Sequence, residues 1–156
     1  MTDFQDGDVP TCDDDRLSDP TPISGRIVVR FFAADEVVLP VLTDLRYESA
    51  DPYAVTMKFH VYGNHTVQWV LGRELLMSGQ HRPTGAGDVH VWPSPHLDPD
   101  TVCISLRSKG KAVVLAARAQ SLDAFLKKTL AAVPLGSEEQ HLDMDGIARQ
   151  LLERPW

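Results

Sequence analysis

Residues 53–62 decide the fold, because apolar and polar side chains alternate there over ten positions: Tyr53-Ala54-Val55-Thr56-Met57-Lys58-Phe59-His60-Val61-Tyr62. A period of two over such a length is typical of a β-strand with one face buried and one face in water. Gly63 and Asn64 follow and end the strand. The run therefore predicts a sheet whose one face packs on a core.

The same period of two recurs in five other segments, residues 23–31, 37–41, 89–92, 102–107 and 112–118. Pro40 indicates a sheet edge or a bulge in the second of these segments, and Leu45-Arg46-Tyr47 continues it after a break. Ser108-Lys109-Gly110 separates the last two segments and is typical of a β-hairpin. These signals predict short antiparallel strands.

Two segments have helical spacing instead. Val67, Val70, Leu71 and Leu75 stand at i, i+3, i+4 and i+8 and predict a helix of about three turns that ends at Gly79. A second helix is predicted from Ser121 to Val133, where Pro134 and Gly136 end it, and a short last helix from Asp143 or Asp145 to Leu152.

The predicted order is three strands and a helix, the same again, and a terminal helix. Antiparallel strands with hairpin links and two helices of similar size favour an α+β fold. We expect antiparallel sheets that curl into a partial barrel with helices, in a duplicated βββα order.

Residues 1–22 differ in composition from the rest of the chain, with seven Asp, three Pro and Arg16 as the only basic residue. Such a segment cannot bury enough apolar surface to offset its ordering entropy, so we interpret it as a disordered acidic leader before one domain, residues 23–156. It carries −6 of the chain's net charge of −7. The nearly neutral domain lacks the basic stripe that is typical of duplex-binding proteins.

The sequence also bears on location. Its longest purely apolar run, Ala112–Ala117, is far shorter than the roughly 20 residues of a membrane-spanning helix. The first 20 residues show neither the basic start nor the apolar run of a signal peptide. We expect a cytoplasmic protein without a membrane span.

Histidine and cysteine residues raise the question of catalysis. His60 and His65 could share a metal ion with His81 or His90, although no pair has the spacing of a known metal-binding motif. Cys103 could act as a thiol nucleophile, but it lies inside an apolar strand. Surface histidines and a packed cysteine are the favoured interpretation, so no catalytic residue and no metal are predicted.

The glycine-rich loop before the strand at 89–92 resembles a phosphate-binding loop at first sight. Phosphate loops lead into a helix N-terminus, whereas Gly85 and Gly87 precede a strand and Asp88 would repel an anion. We interpret the segment as a tight loop that requires positive φ at Gly85 or Gly87. No cofactor is predicted.

Three ordered segments resemble the SsgA-like proteins, small regulators of sporulation and cell division in actinobacteria, and most resemble the SsgB branch. They are Leu45-Arg46-Tyr47 with Asp51-Pro52-Tyr53-Ala54-Val55, then Val67-Gln68-Trp69-Val70 with Arg73-Glu74-Leu75-Leu76, then Arg82-Pro83-Thr84-Gly85-Ala86-Gly87-Asp88-Val89-His90-Val91-Trp92-Pro93. Phe125-Leu126 and Val133-Pro134-Leu135-Gly136 extend the likeness, which covers roughly residues 23–145. Gln68 stands where the family usually has Glu, and His90 where it often has Arg.

The resemblance implies a non-enzymatic regulator of sporulation-specific cell division. Members of the family help to place the division septum, so the implied partners are the tubulin-like protein FtsZ and another SsgA-like protein. The implied fold is similar to that of the Whirly proteins, and the implied assembly is a homotrimer. The alternative hypothesis is a single-stranded nucleic-acid-binding protein of Whirly-like fold, which would need a basic groove with stacking aromatic residues.

The candidate interaction residues lie on or near the first predicted helix, whose apolar side chains cover most of its circumference. They are Trp69, Arg73, Leu76, Met77 and Trp92, with Arg73 and Glu74 expected at the rim of the contact. A second group is expected to form a structural framework. In it, Arg82 and Asp88 would fix the glycine-rich loop to neighbouring residues, Asp51 or Arg46. Its members are Arg46, Tyr47, Asp51, Pro52, Tyr53, Arg82, Pro83, Gly85, Gly87 and Asp88.

Overall fold

The computed structural model describes residues 22–32, 38–94, 100–142, 148–149 and 151–152. Its strands are β1 (Ile23–Phe32), β2 (Val38–Tyr47), β3 (Ala54–Tyr62), β4 (His65–Gly72), β5 (Thr84–Ala86), β6 (Val89–Pro93), β7 (Thr101–Ser108) and β8 (Lys111–Arg118). Its helices are α1 (Arg73–Gly79) and α2 (Ala119–Ala132), and a 3₁₀ turn covers Glu138–His141.

All eight strands form one antiparallel sheet in the order β4-β3-β2-β1-β8-β7-β6-β5. Two four-stranded meanders meet where Arg30 of β1 pairs with Ala116 of β8. The sheet curls into a half-barrel, so the expected α+β fold is confirmed. The duplicated order of strands followed by a helix is also present, with four strands in each half where the sequence suggested three.

The first extra strand corrects the prediction of a three-turn helix after Asn64. Residues 65–72 pair with β3 along their whole length, for example Trp69 with Met57, and only residues 73–79 are helical. A two-residue turn starts the strand, with Gly63 at a φ of 60° as the first central position of a type II′ hairpin requires. Val67 and Leu71 fit both patterns, a helical spacing with Val70 and a period of two with Trp69, and pairing with β3 decides between the two.

One face of the sheet and the two helices enclose the core. The odd-numbered side chains of β1 and β2 lie on this face, where Leu76 of α1 and Leu122 and Phe125 of α2 cover them. Each helix packs across the junction of the halves, because α1 contacts β5 and β6 while α2 contacts β1. Core packing therefore joins the two meanders into one unit.

The other boundaries need small corrections. β2 is continuous through Pro40. Only residues 42–46 of β2 pair with β3, so the missing N–H of Pro40 does not interrupt the hydrogen bonds between these two strands. α2 begins at Ala119, two residues earlier than predicted, and the hairpin at 108–110 is confirmed. Residues 148–149 and 151–152 are helical, whereas Asp143, Asp145 and the acidic leader up to residue 21 lie outside the described residues.

The contact between α1 and β6 gives a test of this packing. Gly79 lies so close to β6 that an added Cβ would overlap the side chain of Val91, whereas a Cβ on Gly72 would meet Leu75 at 3.6 Å. Gly79→Ala should therefore destabilise the protein by roughly 1–3 kcal/mol through overpacking. Gly72→Ala, the matched control, should change the free energy of unfolding by less than about 1 kcal/mol. Urea denaturation measures both, and equal effects would contradict the described contact.

Candidate functional site

Arg73, the first residue of α1, is the largest side chain buried in the protein and is 1% exposed. Its Nη1 donates hydrogen bonds to the carbonyl oxygens of Thr129, at 3.1 Å, and Val133, at 2.8 Å. Its Nη2 donates to Glu138 Oε2 at 2.9 Å. The guanidinium thus binds the C-terminal end of α2, where the helix dipole favours a cation.

The aromatic ring of Tyr47 covers the guanidinium of Arg73, with Cζ 5.1 Å from the ring centroid. Burial raises the pKa of the Tyr47 hydroxyl, which donates a hydrogen bond to the carbonyl oxygen of Pro52 at 2.9 Å. The backbone N–H of Arg73 donates to the carbonyl oxygen of Tyr53 at 2.7 Å. We call Tyr47, Arg73, Thr129, Val133 and Glu138 the arginine cluster.

Glu138 completes the cluster at the start of the 3₁₀ turn. Its Oε1 accepts a hydrogen bond from the backbone N–H of Gly136, while its Oε2 binds Arg73. Hydrogen bonds from its own backbone and from Arg73 hold the pKa of Glu138 below its usual range. The sequence analysis missed Glu138, since nothing in the local pattern distinguishes it from neighbouring Glu139.

The structure separates the predicted interaction residues into two groups. Arg73 and Leu76 are inside the protein, so the expectation that Arg73 lies at the rim of a contact is wrong. Met77 is partly buried against the core. Trp69 on β4 is also partly buried and packs against the core, whereas Trp92 on β6 is half-buried outside the core, and both aromatic residues keep some accessible surface.

The glycine-rich loop has the predicted conformation but not the predicted partners. Gly87 has a φ of 61°, and the imidazole of His90 lies so close to Gly85 that no side chain would fit there. Arg46 forms an ion pair with Glu48 at 2.8 Å and not with Asp88 or Arg82. The loop is held by its backbone, through Arg107 N–H donating to the carbonyl oxygen of Asp88 at 2.9 Å.

The sheet face opposite the helices, which we call the open face, carries the even-numbered residues of β1 to β4. The register extends it across the second meander, because Arg30, Ala116, Cys103 and Trp92 stand in one row across β1, β8, β7 and β6. Cys103 and Ala116 are buried there, outside the core. Trp92 is thus on the open face, on the side of β6 opposite to Val91 and α1.

The charged side chains of the open face are mostly basic. Its described strand residues include six basic side chains and one acidic side chain: Arg26, Arg30, Arg46, Lys58, Arg107 and Arg118 against Asp44. The six basic residues are far apart in the sequence, so the sequence itself shows no basic cluster. The sequence-based statement that the domain lacks a basic surface is therefore wrong for this face, although the net charge is as expected.

A groove of about 860 Å³ crosses the open face over β1 to β4. Asp44 at its centre accepts hydrogen bonds from Arg26 Nε, at 2.7 Å, and binds His60 Nε2, also at 2.7 Å. These two partners, Arg26 first, lower the pKa of Asp44 to about 2. Asp44 is therefore ionised and neutralises part of the positive charge over β1 and β3.

The histidines do not assemble into a metal site in the part of the chain that the structure describes. His60 binds Asp44, His65 stacks near Tyr62 with 5.4 Å between ring centroids, and His90 lies over Gly85. No group of three or more His, Cys, Asp or Glu side chains among the described residues has metal-binding geometry. In the same residues, no helix has the length and apolar character to cross a membrane.

The free edge of β4 is the second accessible feature. Val67 and Val70 are 45% and 57% exposed, and Trp69 lies between them. An eight-residue edge strand with apolar side chains is a surface that other chains can pair with. We call Val67, Trp69 and Val70 the β4 edge.

Comparison with known proteins identifies the family of the chain. The model of the family described as Streptomyces sporulation and cell division protein, SsgA, matches residues 41–138. The chain belongs to this family. The match spans β2 to the 3₁₀ turn and so includes the whole arginine cluster.

Individual relatives are similar to the chain over most of its length. It is 48% identical over 125 residues to the sporulation-specific cell division protein SsgB of Streptomyces coelicolor, covering 80% of this chain and 91% of the relative. It is 40% identical over 124 residues to SsgB of Frankia casuarinae, covering 79% and 86%. These names place the chain in sporulation cell division.

Two solved structures resemble the fold. The SsgA-like sporulation-specific cell division protein of Thermobifida fusca superposes with a TM-score of 0.76 at 34% identity, covering 84% of this chain and 96% of that one. SsgB of Streptomyces coelicolor superposes with a TM-score of 0.74 at 47% identity, covering 79% and 97%. Its structure is described together with SsgB mutations that correlate to longitudinal cell division during sporulation.

Substitution of Arg73 tests the arginine cluster. Arg73→Met keeps most of the side-chain volume but removes the donor to the carbonyl oxygen of Val133 and to Glu138 Oε2, while the carbonyl oxygen of Thr129 keeps the backbone N–H of Val133. Loss of one partner of a buried pair costs about 3 kcal/mol or more, so a large fall in the free energy of unfolding is expected. Arg46→Met removes an exposed ion pair and should cost no more than about 1 kcal/mol. Thermal and urea denaturation compare the two variants. Equal losses in the free energy of unfolding would contradict a special stabilising role of Arg73.

Proposed function

We propose that this chain is a non-enzymatic regulator of sporulation-specific cell division, acting as an adaptor that helps to place the septum and to recruit FtsZ. The observation that carries the proposal is the 48% identity to SsgB of Streptomyces coelicolor over 91% of that relative. In this proposal the protein acts in the cytoplasm at the division septum. Its ligands are other proteins, including another SsgA-like protein.

The geometry supports binding in preference to catalysis. The buried charged group of the interior, the guanidinium of Arg73 in the arginine cluster, already donates its hydrogen bonds to acceptors within the chain. The features left accessible are a broad sheet face and an apolar strand edge, and both are suited to contacts with a macromolecule. An adaptor needs two such surfaces, one for each partner.

Assembly is the first part of the proposal. We propose that the β4 edge forms the contact between subunits of a homotrimer, the assembly that the family resemblance implies. Pairing of the edge would satisfy its free backbone groups and cover Val67, Trp69 and Val70 at once. α1 is packed against β6 and the core, so it contributes less to such a contact than the sequence suggested.

The trimer is tested by light scattering. The purified chain should have a mass three times the 17.3 kDa of one subunit. Val70→Glu on the β4 edge should shift the mass toward one subunit, because a charge there is costly to bury. Val28→Glu is the matched control, because Val28 is also 57% exposed but lies on the central strand β1. This variant should leave the mass unchanged. A wild-type mass near one subunit across a wide concentration range would contradict the proposal.

Recruitment of FtsZ is tested by co-sedimentation of the purified chain with FtsZ polymers. The full-length chain should sediment with the polymers, and the amount bound should saturate as its concentration rises. A Trp92→Ala variant on the open face that remains folded should bind at least about tenfold more weakly, as expected for a central aromatic residue of an interface. Wild-type protein that stays in the supernatant under all polymerising conditions would contradict direct recruitment.

The alternative function, binding of single-stranded nucleic acid, has one favourable observation, the basic open face with Trp92 in it. A low-salt binding assay with a single-stranded oligonucleotide separates the two functions. Micromolar binding that weakens with salt would favour the alternative. No binding under these conditions is the outcome that our main proposal requires.

A further inference from the structure

The open face and the first 22 residues of the chain carry opposite charges. The described strand residues of the open face hold six basic side chains and one acidic side chain, whereas residues 1–22 contain seven Asp and one Arg. Complementary charges of this kind favour association of the two surfaces.

Four of the basic residues are available to a new partner. Arg26 already pairs with Asp44, and Arg46 with Glu48. Arg30, Lys58, Arg107 and Arg118 have no carboxylate partner among the residues that the structure describes, and all are exposed. Arg30 and Arg118 lie on the adjacent strands β1 and β8, within two residues of the Arg30–Ala116 pair.

Chain connectivity brings the acidic segment to this face. Residues 1–22 join β1 at Ile23, next to Ser24 and its cross-strand partner Arg46 on the open face. At about 3.3 Å per residue, Asp13 to Asp15 can reach roughly 30 Å from Ile23. Arg30 lies seven residues along β1 from Ile23, or about 23 Å, and β8 is one strand spacing of about 4.8 Å from β1, so an extended segment reaches Arg30 and Arg118. A tether of this length also gives an effective concentration of about millimolar order.

We propose that the acidic segment of residues 1–22 binds to the open face of the sheet in its own chain, through Asp13, Asp14 and Asp15 near Arg30 and Arg118. The segment then occupies the basic surface and keeps other acidic polymers away from it. This inference is independent of the proposed function, because it concerns only the chain's own charges and connectivity. The contact is electrostatic and salt-sensitive, so folding does not depend on it.

The native cysteines allow a direct test on the full-length chain. Cys12 lies in the acidic segment, whereas Cys103 is 2% exposed and burial raises the pKa of its thiol, so a nitroxide spin label reacts at Cys12. The label broadens the amide signals of nearby residues in ¹⁵N-labelled protein. We expect broadening on β1, β8 and β7 at low salt, with less on α2, which lies across the sheet and serves as an internal reference.

Salt and charge variants distinguish an electrostatic contact from other causes. The Debye length falls from about 30 Å at 0.01 M salt to about 3 Å at 1 M, and the broadening should disappear over this range. Asp13→Asn with Asp14→Asn and Asp15→Asn should abolish it, and Arg30→Gln with Arg118→Gln should reduce it roughly threefold or more. Lys127→Gln with Lys128→Gln on α2 removes the same charge elsewhere and should have no effect.

Three results would overturn the proposal. The first is the absence of selective broadening on the open-face strands at low salt. The second is broadening that persists at 1 M salt, which would indicate an apolar contact. The third comes from mixing spin-labelled ¹⁴N chains with unlabelled ¹⁵N chains: selective broadening of the open-face strands in this mixture would assign the segment to a neighbouring subunit.

Discussion

The buried guanidinium of Arg73 is the interaction on which the rest of the structure depends. It stands where the first meander ends and the first helix begins, yet its hydrogen-bond acceptors belong to the end of α2 and the turn beyond it. A cation inside a protein is costly unless carbonyl oxygens, a carboxylate or an aromatic face compensate for the lost water. Here all three are present, and they come from both halves of the chain.

This arrangement explains why the family motifs are spaced as they are. Tyr47 supplies the ring over the guanidinium, Pro52 accepts the tyrosine hydroxyl, and Tyr53 accepts the backbone N–H of Arg73. Residues that looked like candidates for a binding surface in the sequence thus have a structural role. Among the described residues, the open face and the β4 edge remain accessible, and the proposed function depends on these two surfaces.

The sequence predicted the strand-rich fold because apolar and polar side chains alternate in a strand that is buried on one face. This alternation predicted β1, β3, β6, β7 and β8. It failed at β4, where Val67 and Leu71 satisfy both periods and only pairing with β3 separates strand from helix. It also failed to show the basic open face, since Arg30 and Arg118 are neighbours only through the pairing of β1 with β8. Both features depend on long-range contacts, and local patterns do not contain them.

Native-state hydrogen exchange in the Arg73→Met variant tests the central claim most directly. If Arg73 holds the end of α2 and the 3₁₀ turn to the first meander, the amides of Val133, Gly136 and Leu142 should lose protection far more than those of β3. Those three amides donate to Thr129, Glu138 and Glu139, all in or next to the arginine cluster. Equal loss of protection in β3 and at these three amides, or no loss at all, would contradict the account.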